Sequence, residues 1–188
     1  MTVVVAVRQG NTVYMGADTQ STFDPFKENY LSEQNLKIHK MPNDVLVAES
    51  GRSSVTQEMV FRPEFFENIP KDTGLTKKYI VQEIIPKYKK ILKKADALDE
   101  KGKGEFGFLF VWKDRIFKVH DDFCVSKINN YASIGSGSDL AYPFLDDTKL
   151  SMQERLMSGM KMAEKFDQFV SGPFVFIDTK EMQYKIVH

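Results

Sequence analysis

Val3-Val4-Val5-Ala6-Val7 is the segment that most limits how this chain can fold. β-Branched residues pack poorly in a helix and well on a pleated strand. An apolar run without polar alternation must be covered on both faces. Gln9-Gly10-Asn11 is a turn signal, and Thr12 to Ala17 reads as the returning strand. The chain is therefore expected to open with a hairpin whose first strand starts at the N-terminus and is covered on both sides.

The remaining pattern supplies that cover. The stretch from Gln20 to Asn35 is polar and irregular, contains Pro25, and reads as a long loop. Leu36 to Lys40 and Val45 to Ser50 read as a second strand pair around the turn Pro42-Asn43-Asp44. A helix is expected after Gly51 as far as Phe61. A second, over Thr76 to Ala95, places Ile80, Val81, Ile84, Ile85, Tyr88, Ile91 and Leu92 on one face, with Pro86 kinking it. Its lysines read as a solvated face.

Phe106 to Trp112, Arg115 to His120 and Tyr131 to Ile134 read as strands. Gly135-Ser136-Gly137-Ser138 opens a helix to Leu145. Ser151 with Glu154 fits a capping box for a helix to Val170, and Phe174 to Ile177 and Gln183 to Val187 close the chain as strands. Strands, two helices, strands, two helices, strands is an α+β order. Two facing sheets with helices outside would bury every apolar face. No repeat or composition shift divides residues 1–188, so a single domain is expected.

Bulk properties exclude several function classes. Lys+Arg and Asp+Glu are 26 each, without the basic excess of a nucleic-acid binder or a membrane-surface protein. Cys124 is the lone cysteine, which precludes an intrachain disulfide and suits a reducing cytosol. No apolar run is long enough to span a bilayer, and Arg8 follows rather than precedes the apolar start, unlike a signal peptide. A cytoplasmic location is the expectation. His39, His120 and His188 are scattered, so neither a metal site nor a cofactor is expected.

Thr2 is the first chemical candidate. A small residue after the initiator permits removal of Met1, leaving a hydroxyl and a free α-amine on one residue. An α-amine ordinarily titrates at about 7.7–8.0, so it can act as the base for its own hydroxyl. Asp18 closes the second strand and so returns beside Thr2. Lys37, in a short strand, would stabilise an alkoxide, with the aspartate holding it. Gly51, before a helix, can offer an oxyanion-hole N–H. Each residue also has a plain reading: a common second residue, a turn aspartate, a surface lysine, a turn glycine. Gly135 to Ser138 could be a phosphate loop but lacks the Walker lysine. Asp167 falls on the apolar face of its helix and needs a partner there, as a structural cap or as an acid linked to the site.

Taken in order, Thr2 to Val7, Met15-Gly16-Ala17-Asp18, Leu36-Lys37-Ile38, Ser50-Gly51, Ile134 to Ser138 and Asp167 with Ser171-Gly172 resemble proteasome β-type subunits and the HslV peptidase over essentially the whole chain. The resemblance implies the N-terminal-nucleophile hydrolase fold, a four-layer αββα sandwich. It implies a threonine-type peptidase acting on peptides or unfolded proteins. Thr2 would be the nucleophile, Asp18 and Lys37 its partners, and Gly51 the oxyanion-hole residue. Ser136 and Asp167 would bond near the terminal amine. Ser21 and Thr22 would pair with an extended substrate by strand addition. Glu49 would line the specificity pocket and favour a basic side chain. A homo-oligomeric ring is implied, with an ATPase unfoldase as its class of partner. Two rivals stand beside this: a catalytically silent ring subunit, and a small-molecule amidase on the same fold. The loop between Asp18 and Lys37 is longer than in compact members of the family, and Val170 stands where the family has a serine.

Overall fold

The computed structural model describes residues 2–23 and 26–188. Met1, whose removal is expected, and Pro25 lie outside the described residues. The described residues form two five-stranded sheets, a separate hairpin and helices that pack against the sheets.

Strands β1 (Val4–Gln9) and β2 (Thr12–Asp18) form the expected opening hairpin, with Val4 opposite Ala17 and Gln9 opposite Thr12. Gly10 makes the turn in the left-handed region at φ 59°. Residues 20–35 differ from the expected loop. They hold the antiparallel pair β3 (Gln20–Phe23) and β4 (Phe26–Asn29), then a short 3-10 turn at Glu33–Asn35. The described part of β4 is exposed throughout, so no burial pattern announced it.

Strands β5 (Ile38–Met41) and β6 (Val45–Gly51) follow, and Lys37 sits just before β5 rather than within it. Helix α1 (Ser53–Val60) is as expected, and a short helix α2 (Glu64–Glu67) follows it. The long lysine-rich helix is composite. Helix α3 (Lys77–Tyr79) passes through a π-helical segment, Ile80–Ile84, into α4 (Ile85–Lys94). Pro86 thus directly follows the π-helical segment, where the wider turn, with the Ile85 N–H bonded to the Ile80 carbonyl, accommodates a proline inside a continuous helix.

Strands β7 (Phe106–Trp112), β8 (Arg115–Val119), β9 (Val125–Ile128) and β10 (Tyr131–Ile134) come next. Helices α5 (Ser138–Asp146) and α6 (Met152–Phe166) lead to β11 (Phe174–Asp178) and β12 (Lys185–Val187). The capping box at Ser151 and Glu154 is present. Helix α6 stops short of Val170, and Asp167 is its C-cap.

One sheet has the order β10-β1-β2-β11-β12 and the other β5-β6-β7-β8-β9, all neighbours antiparallel. Their side chains divide among three cores. Val4 and Ala6 of β1 join Leu46 and Ala48 of β6 and Leu109 and Val111 of β7 in a core shared by the two sheets. Val3, Val5 and Val7 point the other way, onto Ala141 and Leu145 of α5 and Leu156, Met160 and Ala163 of α6. On the other sheet, Val45, Val47, Phe108 and Phe110 pack on Val55 and Met59 of α1 and Tyr88 and Leu92 of α4. The opening apolar run therefore serves two cores by simple alternation, which explains its lack of polar residues. Among the described residues, no helix is long and apolar enough to cross a membrane.

Candidate active site

Asp18, at the end of β2, organises the site. The hairpin register carries β2 back alongside β1, and the Asp18 amide donates to the Val3 carbonyl at 3.2 Å. Its carboxylate is fully buried and receives donors on both oxygens. The Thr2 hydroxyl and the Val3 amide (2.9 Å) donate to Oδ1. Lys37 Nζ (2.8 Å) and the Gln20 amide (3.2 Å) donate to Oδ2. A buried carboxylate stays ionised only with such compensation.

Lys37 is held by its carbonyl, which accepts from the Glu49 amide at 2.9 Å across the start of β5 and end of β6. Its ammonium is pushed below the ordinary lysine range by burial, opposed by the Asp18 charge and hydrogen bond and by the more distant charges of Glu49 and Asp167. A lysine so poised can stabilise a developing alkoxide, and it gives up its proton more readily than a surface lysine.

The loop after β10 grips the backbone of Thr2. The Gly137 amide donates to the Thr2 carbonyl at 3.1 Å, and the Thr2 backbone nitrogen donates to Ser136 Oγ at 3.3 Å. Gly135 has φ 95°, and a Cβ there would collide with the Thr2 carbonyl oxygen. The Gly-Ser-Gly-Ser segment is thus a clamp on the chain start. Its signal in the sequence was the glycine pair, but its target could not be read there.

Asp167 is not hydrogen-bonded to Thr2. Its Oδ1 accepts from the Phe169 amide at 2.9 Å, while Oδ2 is buried without a hydrogen-bond partner among the described residues. Val170 is buried in the core under α6, and Ser171 Oγ turns to Asn29 Oδ1 at 3.3 Å, on the β3–β4 hairpin.

Gly51 ends β6 at φ 119°, where a Cβ would strike the Glu105 carbonyl oxygen. Thr2, Lys37, Glu49, Gly51, Ser21 and Thr22 all line one cleft of about 680 Å³, together with α1 residues. Ser21 and Thr22 lie on β3, which among the described residues has β4 on one edge and no strand on the other. Gln20 Nε2 ties β3 down, bonding Thr22 Oγ1 at 2.9 Å and the Gln168 carbonyl at 3.1 Å.

Glu49 is mostly buried beside this cleft. His39 Nε2 lies 3.1 Å from its Oε1, and Oε2 has no hydrogen-bond partner among the described residues. Sequence reading did not anticipate His39. The β5–β6 register sets Ile38 opposite Ala48, and only that pairing brings His39 near Glu49. Among the described residues, no three His, Cys, Asp or Glu side chains are grouped to hold a metal ion.

No protein-family model and no curated protein matches the chain. Solved structures do. BPH from Thiobacillus denitrificans superposes with a TM-score of 0.76 at 21% identity, over 97% of this chain and 99% of its own. Anbu, described as an ancestral β-subunit, from Yersinia bercovieri gives 0.73 at 14% identity over 99% and 87%. Eukaryotic HslV from Trypanosoma brucei gives 0.63 at 16% identity over 94% and 98%. At these identities the likeness is one of architecture, and the chain has the fold of the proteasome-like proteins.

Proposed function

We propose that this chain, once Met1 is removed, is an N-terminal threonine peptidase. The observation that carries the reading is the Asp18 carboxylate, which takes the Thr2 hydroxyl on one oxygen and Lys37 Nζ on the other. That arrangement sits in a cleft large enough for an extended peptide.

In this reading the Thr2 oxygen attacks a peptide carbonyl while Lys37 favours the alkoxide. The α-amine, directly or through water, takes the hydroxyl proton and delivers it to the leaving nitrogen as the C–N bond breaks. Water then hydrolyses the ester on Thr2. The Gly51 N–H serves the oxyanion. Ser136, already bonded to the Thr2 nitrogen, orients the amine, and Asp167 supplies a nearby carboxylate with a free oxygen. The unpaired edge of β3 receives the substrate at Ser21 and Thr22. The unsatisfied Glu49 oxygen gives a cationic side chain its partner.

We read residues 1–188 as one domain. The three cores support a four-layer αββα stack. The proteasome-like fold supports a homo-oligomeric ring in the cytoplasm, with an ATPase unfoldase as a candidate partner.

Intact mass and a peptide-hydrolysis assay test this. Loss of Met1, hydrolysis of unfolded peptides, and no hydrolysis by Thr2→Ala are expected. BPH from Thiobacillus denitrificans is also known in complex with epoxomicin. A Thr2-dependent adduct of that compound here would support the same conclusion. Complete retention of Met1 in active material, or full activity of Thr2→Ala, would overturn it.

A further inference from the structure

Gly51 stands between two clefts. The first, already described, holds Thr2, Lys37 and the open edge of β3. The second, of about 740 Å³, lies on the far side of Ser50-Gly51-Arg52, the only residues common to both. Its floor includes Gly135 and Ser136, the residues that grip the Thr2 backbone.

Resting on the N-terminal threonine reading, we infer that the second cleft receives the part of the peptide that leaves, and that it favours a cationic residue there. Two arguments converge. An acyl chain paired along β3 fills the first cleft, so the peptide beyond the attacked carbonyl must continue past Gly51 into the second. The leaving nitrogen must also face the group that protonates it. That group is the Thr2 nitrogen, bonded to Ser136 Oγ at 3.3 Å, and Ser136 lines the second cleft alone.

The charge preference follows from the walls. Lys103 pairs with Asp121 at 3.2 Å, and Lys118 turns its Nζ to the Ser133 carbonyl at 3.0 Å. That leaves Asp96, Asp99 and Glu105 against Arg52 and Lys118, whose charge the carbonyl does not cancel, an excess of one acid. The loop carrying them is fixed by the Arg52 amide, which donates to the Glu105 carbonyl at 2.8 Å, and the Gly104 amide, which donates to the Asp121 carbonyl at 2.9 Å.

By microscopic reversibility, an added amine that attacks the Thr2 ester enters through the leaving-group cleft. It forms a new amide, breaks the ester C–O bond, and returns a proton to the threonine oxygen. The test supplies Met1-free protein with a peptidyl-arginine coumarylamide as acyl donor. Arginyl-glycinamide or glutamyl-glycinamide is then added in low salt, and mass spectrometry compares transfer with hydrolysis. Transfer to the arginyl amine is expected to exceed transfer to the glutamyl amine by about three- to tenfold. The double variant Asp96→Asn, Glu105→Gln should bring the ratio toward unity, and Asp96→Glu, Glu105→Asp should keep it. Equal partition in the wild type, a glutamyl preference, or an arginyl preference untouched by the neutral double variant overturns the assignment of this cleft alone. Failure to form any ester on Thr2 instead overturns the threonine reading, and the inference falls with it.

Discussion

Lys37 Nζ lies 2.8 Å from Asp18 Oδ2, while the other oxygen of the same carboxylate takes the Thr2 hydroxyl and the Val3 amide. One buried charge therefore fixes the lysine, the threonine and the start of β1 together. Lys37→Met strands that carboxylate in a buried site. Breaking such a pair costs about 3–5 kcal/mol. The double variant Lys37→Met, Asp18→Leu removes both charges and should recover much of that stability in urea unfolding. Neither variant should hydrolyse peptides. A double variant no more stable than Lys37→Met would show that the pair is not the source of the loss.

The lowered Lys37 ammonium makes stability depend on alkaline pH. Between its lowered folded value and the ordinary lysine value, the unfolded chain binds more protons than the folded one. Stability from this group accordingly rises with pH through that window. Asp18→Asn removes the two largest influences that hold the ammonium up, so the window should widen downward. Melting temperature against pH for both proteins checks this, with Lys37→Met as the reference in which the slope disappears.

Gly135→Ala should be far more costly than a surface glycine change. The residue sits at φ 95°, and the new methyl meets the Thr2 carbonyl oxygen. Backbone strain and overpacking together cost roughly 2–6 kcal/mol. Gly10, with positive φ but open space around it, should lose only the conformational part. Chemical denaturation of the two variants separates these contributions.

Much of this architecture was legible because burial writes a pattern. Val3 to Val7 read as a doubly covered strand, and its residues do alternate between two cores. Asp18 beside Thr2 followed from the hairpin turn at Gly10. What escaped notice has weak burial or long-range causes. The β3–β4 hairpin left no apolar alternation to find, since its described β4 residues face solvent. Asp167 and Val170 continue the apolar spacing of α6 beyond its end, yet Asp167 caps it and Val170 reaches the core from the following turn. The His39–Glu49 pair depends on strand register, and the grip of Gly135 to Gly137 on Thr2 joins residues far apart in the sequence that meet only because β10 pairs with β1.

The capping box at Ser151 gives a test away from the site. Ser151 Oγ accepts from the Glu154 amide, and the Ser151 amide donates to the Glu154 carboxylate at 2.8 Å. Ser151→Ala should cost about 0.5–2 kcal/mol. The Ser151 side chain, and after it the Ser151 amide, hold the Glu154 carboxyl below its ordinary value by hydrogen bonding to it. The depressed acid contributes stability above its unfolded pKa, and this is lost as pH falls through the folded value. The difference between wild type and Ser151→Ala should therefore shrink in acid, which thermal melts at neutral and acidic pH would reveal.

Glu49 offers the sharpest test of what the acyl cleft accepts. Its Oε1 is engaged by His39 at 3.1 Å, but Oε2 is buried beside the cleft that holds Thr2, with no partner among the described residues. An unsatisfied buried carboxylate oxygen is unfavourable, so a cationic side chain entering the cleft gains a charge-assisted bond at little cost. Glu49→Gln keeps the shape and removes the charge. Its kcat/KM for peptides with arginine before the cut should fall by about tenfold or more. Peptides with leucine there should be affected much less. Glu49→Lys should reject arginine altogether and accept glutamate. A library profile in which arginine and leucine decline together in Glu49→Gln would instead make Glu49 a structural partner of His39, without a part in selecting the substrate.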